Sequence, residues 1–342
     1  MKQLRNIYSP EECRRRLAAE TFERTTISFY RYVKIEQPAV LRDELYREWS
    51  ELGVLGRIYL AEEGINAQFS VPTHNLKKFR ESLESRGIFR QMPFKIGLEQ
   101  RESFIKLTIK VKKQIVADGL QPDDYDVTNV GKHLEPEEFN KALEEGAVVV
   151  DMRNHYESRI GRFEGAVCPD SDTFKDELPI VRDYLKGKED KKILLYCTGG
   201  IRCEKASSYL KHCGFKDVNQ LYGGIINYAK EVEEKGLESK FVGKNFVFDN
   251  RIAEKITDDV LTECDQCGES CDIYVNCKNA ICNLLFIQCE KCGEKMMNCC
   301  SEQCKKIALM PIEQQRKLRK QQGETNHALF VQRQRPRLRP RL

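Results

Sequence analysis

The alternation of apolar and polar positions divides the chain into three patterned stretches. In the first, TTISFYRYVKI (Thr25 to Ile35) is rich in β-branched and aromatic residues and reads as a strand. Pro38 then opens a helix to Leu52, with Leu41, Leu45, Trp49 and Leu52 on one face. LGRIYLA and GINAQFSV read as two short strands around Glu62–Glu63–Gly64, a hairpin signal. Asn75 to Arg86 returns to helical spacing through Leu76, Phe79 and Leu83, and FIKLTIKVKK (Phe104 to Lys113) alternates as the closing strand. The order β-α-β-β-α-β predicts a ferredoxin-like α+β domain over residues 1–118. That fold hosts many functions and decides little by itself.

DGLQPDDYDVTNVG (Asp118 to Gly131) is polar, turn-rich and aperiodic, and is expected to be a linker over residues 119–132. The pattern then changes. LEPEEFNKALEEG is a short helix, AVVVDM a buried strand ending in a carboxylate, ELPIVRDYL a helix and KKILLYC a buried strand ending in a cysteine. CEKASSYLKHCGF is helical to Gly214, and VNQLYGG is a third strand-like piece. Strands alternating with helices imply an α/β domain over residues 133–240, with a parallel sheet covered on both faces. Such sheets bind ligands at the carboxyl ends of their strands, where Asp151 and Cys197 fall.

The sharpest chemical signal is ILLYCTGGIRCEKASSYL. An apolar strand delivers Cys197, Thr198, Gly199, Gly200, Ile201 and Arg202 form a short loop, and a helix is expected to start near Cys203. Two adjacent glycines let the backbone curl so that successive N–H groups turn inward. The helix N-terminus and Arg202 add positive charge, so a thiolate at Cys197 should be stabilised and its pKa depressed. A bound anion or a persulfide would be held by the same donors. A buried structural cysteine before an ordinary Gly turn is the bland alternative; strand, cysteine, Gly-Gly, Arg and helix in that order favour the reactive one. Cysteine phosphatases place five residues between cysteine and arginine. Here four intervene, a tighter ring that suits a sulfur-sized group better than a phosphate ester. Cys203 reads either as a small helix residue or as a resolving thiol, and Cys13, Cys168 and Cys213 read as structural.

These residues resemble a rhodanese domain. VVVDMRNHYESRIGRFEGAV is similar to that family's early motif through Asp151, Arg153, Glu157, Gly165 and Ala166. LLYCTGGIRCEKA is similar to its active loop, and LYGGI (Leu221 to Ile225) to its late Gly-Gly motif. Asp151 and Arg153 are expected to form an ion pair that braces strand ends near the loop.

Composition changes the picture most at the C-terminal end. Of fifteen cysteines, ten lie between Cys264 and Cys304. The N-terminus lacks the apolar core of a secretory signal and no stretch is long enough to span a bilayer, so a cytoplasmic, non-membrane protein is expected. There, clustered cysteines are more often metal ligands or reactive thiols than disulfides. Cys264-Asp-Gln-Cys267-Gly and Cys289-Glu-Lys-Cys292-Gly form two CxxCG knuckles, a zinc-ribbon signal, in a Cys-rich segment spanning 241–304. Four of Cys271, Cys277, Cys282, Cys299, Cys300 and Cys304 could build a second site. No histidine lies in the segment, so any site is all-thiolate and structural rather than catalytic. Disulfides or an iron–sulfur cluster are the lesser alternatives. From Lys305 to Leu342 there are eleven Lys or Arg against two Asp or Glu, so the chain's net charge of +4 sits in a basic tail. The tail is expected to be disordered and to contact RNA phosphates without choosing a base.

From about Ile27 to Cys304 the whole arrangement, including GKNFVFDNRIAEKI (Gly243 to Ile256) and the run of cysteines, resembles the bacterial tRNA uridine 34 hydroxylase family. The resemblance implies oxygen-dependent conversion of the wobble uridine of tRNA to 5-hydroxyuridine, with Cys197 acting as a thiolate or persulfide. The residues themselves supply a nucleophilic cysteine and basic charge suited to RNA; the resemblance implies tRNA as the partner. They supply no haem motif, dinucleotide fingerprint or two-His-one-carboxylate set, and His74, His133, His155, His212 and His327 are scattered. The sequence therefore names no electron donor. A sulfurtransferase carrying sulfane sulfur on Cys197 and a non-catalytic RNA-binding scaffold built on the zinc ribbon remain as alternatives.

Overall fold

The computed structural model describes residues 4–100, 102–120 and 124–321. After a short helix α1 (Pro10–Ala18), the front domain runs β1 (Arg24–Tyr32), α2 (Pro38–Glu51), β2 (Leu55–Ala61), β3 (Gly64–Pro72), α3 (Leu76–Glu84), β4 (Lys95–Ile96) and β5 (Leu107–Val111). The strands lie in the order β4-β1-β3-β2-β5, with β5 parallel to β2 and the other pairs antiparallel. The first four strands are the expected ferredoxin-like set, but FIKLTIKVKK is not the strand that closes it. The closing strand is β4, two residues long, paired to β1 through Ile27 and Ser28. It is too short to leave a periodic signal. The alternating stretch instead extends the opposite edge as β5, where Leu107 and Ile109 reach the core.

Helices α2 and α3 cover one face of this sheet only. Trp49, Phe69 and Phe79 are wholly buried there, with the Phe69 and Phe79 rings 4.6 Å apart and those of Trp49 and Phe79 5.0 Å apart. Period-2 alternation leaves polar side chains, among them Ser28, Arg57 and Gln68, on the opposite face.

Residues 118–131 contain no helix or strand among those described, yet they do not hang free. The Tyr125 hydroxyl donates to Asp118 at 3.1 Å, Lys205 pairs with Asp118 at 3.0 Å, and the Gly131 N–H donates to Ser207 at 2.8 Å. The central domain follows as β6 (Lys132–Leu134), α4 (Pro136–Glu144), β7 (Val148–Asp151), α5 (His155–Arg159), β8 (Gly161–Phe163), α6 (Phe174–Leu185), β9 (Lys192–Tyr196), α7 (Ile201–His212), β10 (Asp217–Leu221) and α8 (Gly224–Lys235). Strands β6-β10-β9-β7 form an all-parallel sheet. Along β9, Ile193 and Leu195 face the α6–α7 side, while Leu194 and Tyr196 face the α4–α8 side, so both faces are core.

The Cys-rich segment is sewn to this domain rather than appended. Its first strand, β11 (Phe241–Phe246), pairs antiparallel with β8 on one side and with β12 (Ala253–Lys255) on the other. A hairpin of β13 (Tyr274–Asn276) and β14 (Leu285–Ile287) follows, then α9 (Glu290–Met296), α10 (Glu302–Ala308) and α11 (Ile312–Gln321). The tail expected to be disordered from Lys305 is thus helical over most of its first seventeen residues. Ser301 caps α10 by accepting the Cys304 N–H at 3.2 Å, which is local chemistry that bulk charge conceals. The rest of the tail, with most of its arginines, lies outside the described residues.

Trp49 is the only tryptophan in the chain and stacks near Phe69, so its fluorescence reports the front core. Phe69→Ala should cost about 3–5 kcal/mol, read as a lowered urea midpoint for that signal; an unmoved midpoint would contradict this packing.

Candidate active site and thiolate centres

Cys197 stands at the carboxyl end of β9, wholly buried, and its Sγ accepts the Gly200 N–H at 3.1 Å. Gly200 has φ +94° and caps α7, a left-handed turn that glycine adopts without strain. The helix therefore begins at Ile201, two residues before the expected start. Thr198, Gly199 and Gly200 make the curl, while Ile201, Arg202 and Cys203 form the first helical turn. A second glycine contact closes the ring from behind. A Cβ on Gly224 would stand 2.6 Å from the Cys197 carbonyl oxygen, so only glycine lets α8 approach and donate its Ile225 N–H to that oxygen at 3.0 Å.

Burial alone would push the Cys197 thiol up. The Cys203 thiol, the Arg202 cation and the N–H groups of Arg202 and Cys203 outweigh it and hold the group at about 5. Cys203 is itself wholly buried, and burial together with the neighbouring sulfur pushes its own thiol well up. It stays protonated and donates to the Cys197 thiolate.

Arg202 does not rest on the sulfur. Its guanidinium forks onto Glu157 of α5, with Nη1 2.7 Å from Oε1 and Nη2 2.9 Å from Oε2. Glu157 is fully buried and its Oε1 also accepts the Asn154 N–H at 3.1 Å. In the sequence Glu157 stands out only through its place in the rhodanese-like motif, which assigns it no partner. Asp151 and Arg153 form the expected bracing geometry: Nε to Oδ1 is 2.8 Å, Nη2 to Oδ2 is 2.7 Å, and the Tyr196 hydroxyl donates to Oδ2 at 2.8 Å. Arg153 also reaches the Gly161 carbonyl at 2.7 Å, which ties β7, β8 and β9 together. Nearby on α6, Glu177 is fully buried with no hydrogen-bond partner among the described residues, and burial pushes its carboxyl well up.

The front domain supplies what the sequence did not disclose, a roof over the loop. Lys95 donates to the Gly199 carbonyl at 2.7 Å, Tyr32 to that of Ile201 at 3.2 Å, and Tyr30 to the Glu204 carboxylate at 2.9 Å. Desolvation lowers Lys95 to about 8, although the Cys197 and Glu204 charges act to raise it. Between roof and loop lies a cleft of about 280 Å³, bounded by Tyr59 and Gln68 above, by Cys197 and Thr198 below, and by Phe248 at one end. No local pattern marks Lys95, Tyr30 or Gln68 as site residues, because the contact joins segments more than a hundred residues apart.

In the Cys-rich segment, Cys264, Cys267, Cys289 and Cys292 converge with their sulfurs within 4.8 Å of one another. Cys277, Cys282, Cys300 and Cys304 form a second such set, leaving Cys271 and Cys299 outside. The Cys271 sulfur accepts the Ile273 N–H and the Cys299 thiol approaches the Met297 carbonyl. Pairs such as Cys267–Cys289 at 3.6 Å and Cys282–Cys300 at 3.7 Å fit a tetrahedral ion with metal–sulfur bonds of about 2.3 Å, whose sulfurs stand about 3.8 Å apart. Each set can hold one metal ion. Arg159 pairs with Asp265 beside the first knuckle at 3.0 Å, and the Tyr274 hydroxyl donates to the Tyr156 carbonyl at 2.9 Å, so α5 is fastened to this segment.

A parallel α/β sheet ending in a cysteine held within a Gly-rich curl defines a rhodanese-type reactive-cysteine protein with a ferredoxin-like roof. Family models agree in three places: a UPF0176 acylphosphatase like domain over residues 24–115, a rhodanese-like domain over 135–231, and a "Rhodanase C-terminal" region over 242–305. A protein of Leptospira interrogans named tRNA uridine(34) hydroxylase is 59% identical over 96% of this chain and 89% of its own. One of the same name from Photorhabdus laumondii is 47% identical over 99% of this chain and 96% of its own. The chain belongs to the tRNA uridine(34) hydroxylase family.

Two outcomes follow from the geometry. Alkylation of Cys197 by iodoacetamide should rise with pH through a midpoint near 5 and be flat at neutrality, since the reactive thiolate is the form above the pKa; a midpoint at the free-thiol value of about 8.5 would contradict the cradle. Protein purified without added metal should carry two metal ions per chain by elemental analysis, and Cys264→Ser and Cys277→Ser should each remove one. Loss of both ions from either variant would mean that the two sets are not separate sites.

Proposed function

We propose that this chain hydroxylates the uridine at position 34 of tRNA to 5-hydroxyuridine, with Cys197 as the reacting group and molecular oxygen as co-substrate. The observation that carries this reading is an acidic, buried thiol on the floor of a cleft roofed by a second domain, in a chain whose relatives bear that name along nearly their whole length. Addition of the thiolate to C6 of the uracil ring would make C5 nucleophilic toward the oxidant. One oxygen atom enters C5 and the other leaves as water, which takes two electrons and two protons from an external donor. In this reading the chain is an oxidoreductase of the cytoplasm. No helix among the described residues is long and apolar enough to cross a membrane. The two thiolate sets would hold zinc, since four soft sulfur ligands close a tetrahedron and leave no position open for chemistry.

The four-residue spacing from Cys197 to Arg202 favours a second reading, a sulfurtransferase with sulfane sulfur on Cys197. The loop's N–H donors would hold that terminal sulfur as well as the thiolate.

Cys197→Ser should abolish 5-hydroxyuridine, because a serine hydroxyl stays protonated near neutral pH and carries no sulfane sulfur. Cys203→Ser should retain part of the activity, since its hydroxyl still donates to the thiolate. Arg202→Lys should be intermediate, keeping the charge but losing the fork onto Glu157. Each variant is expressed in cells lacking the chromosomal copy, and the wobble nucleoside is measured by mass spectrometry. Restoration of wild-type 5-hydroxyuridine by folded Cys197→Ser would leave the RNA-binding scaffold as the better reading. Accumulation of a thiolated nucleoside in its place would favour sulfur transfer.

A further inference from the structure

The open face of the front sheet carries an ordered polar surface that the reaction at Cys197 does not account for. Strand register aligns side chains across the sheet. Lys95 is paired with Ser28, Ser28 with Gln68, Gln68 with Arg57 and Arg57 with Thr108, in one row. Tyr30, Asn66, Tyr59 and Lys110 form the next. Paired residues in a sheet share a face, so both rows run from the Cys197 loop, at Lys95 and Tyr30, out to the free edge at β5. Arg57, Tyr59, Asn66 and Gln68 all line the cleft that Cys197 floors.

Three features make this a surface for single-stranded RNA. The Gln68 side chain is half-buried in the cleft and makes no hydrogen bond with any described residue, so its amide offers both a donor and an acceptor. A pyrimidine edge with an N–H beside a carbonyl oxygen is complementary to it. Arg57, Lys110 and Lys112 are exposed and form no ion pair among the described residues; Arg57 makes one long bond, 3.4 Å, to the Phe248 carbonyl. Tyr59 lies between the cleft and this basic edge, with Lys112 5.6 Å from its ring centre. Aromatic rings interleaved with cations on an open sheet face suit unstacked bases and their phosphates. A protein partner would call for an apolar patch, and this face is polar.

We propose that the open face of the front sheet is the RNA-binding wall of the active site, with the Gln68 amide reading the edge of the base presented to Cys197 and Arg57 and Lys110 taking the flanking phosphates. The proposal rests on the tRNA reading above and adds where the anticodon loop lies. The nucleotide enters from the β5 edge, crosses Tyr59, and ends with its base between Gln68 and the sulfur. The roof thus selects the substrate while the loop reacts with it.

The test uses the full chain and a 17-nucleotide anticodon stem–loop with uridine at the wobble position, labelled for fluorescence anisotropy. The Arg57→Gln/Lys110→Gln double variant should bind about tenfold more weakly and flatten the salt dependence by about 1.4 in log–log slope. Lys77→Gln, which removes a charge from α3 on the covered face, should bind as wild type. Gln68→Leu should bind within about twofold of wild type but lose about tenfold in 5-hydroxyuridine formation in complemented cells, because the base edge is left unpaired. Unchanged alkylation of Cys197 in every variant keeps the loop itself out of the comparison. Wild-type affinity in the double variant, or wild-type conversion by Gln68→Leu, overturns the wall. Failure of the wild-type chain to restore 5-hydroxyuridine overturns the hydroxylase reading instead, and the anisotropy measurement still stands on its own.

Discussion

The reactive loop depends on the buried fork between Arg202 and Glu157. A ring of backbone N–H groups can close around a sulfur only if the first turn of α7 is held at a fixed height above β9. Arg202 sits in that turn and Glu157 in α5, on the other side of the ring. Taking two charges out of water is expensive, and leaving one of them unpaired there costs several kcal/mol more. The loop therefore has one well-defined geometry. Glu157 offsets part of the guanidinium charge, yet enough of it reaches Cys197 to help hold the thiolate. Burial of Glu177 nearby pushes its carboxyl well up and so acts in the same direction, against a second carboxylate charge near the sulfur.

From α5 the constraint spreads outward. Its Arg159 and the Tyr156 backbone carbonyl fasten it to the thiolate-rich hairpin, while β8 pairs with β11 from the same segment. The Cys-rich region thus acts as a clamp on the helix that carries Glu157. Two sets of four cysteines that could hold a metal ion lie in a segment tied directly to the helix behind the Cys197 loop.

How much of this could be read from the residues follows from how local each signal is. Cys197, the glycines after it and Arg202 occupy six consecutive positions, and their arrangement is legible because each one's neighbours are its context. The same holds for the two CxxCG knuckles. Selection of Cys277, Cys282, Cys300 and Cys304 over Cys271 and Cys299 was not legible, because it is decided by a hairpin register and by αL residues such as Met297 that carry no spacing rule. FIKLTIKVKK shows its strand character in its alternation but not its place at the β2 edge, since alternation fixes which side chains face the core and says nothing of which neighbour a strand pairs with. The roof was invisible for a related reason. Tyr30 and Lys95 read as ordinary strand residues until the fold sets them against Glu204 and Gly199.

The roof also bears on the survival of the enzyme. A thiol ionised this far below neutrality, left open to solvent, is the kind of group that peroxides carry irreversibly to sulfinic and sulfonic acids. Here the sulfur has no exposed surface, and the way to it runs through a cleft walled by another domain. With Cys197 as the reacting group, as proposed above, access rather than protonation would limit what the sulfur meets. Excision of the central domain would remove this shelter together with the Arg159–Asp265 and Tyr274–Tyr156 ties that hold α5.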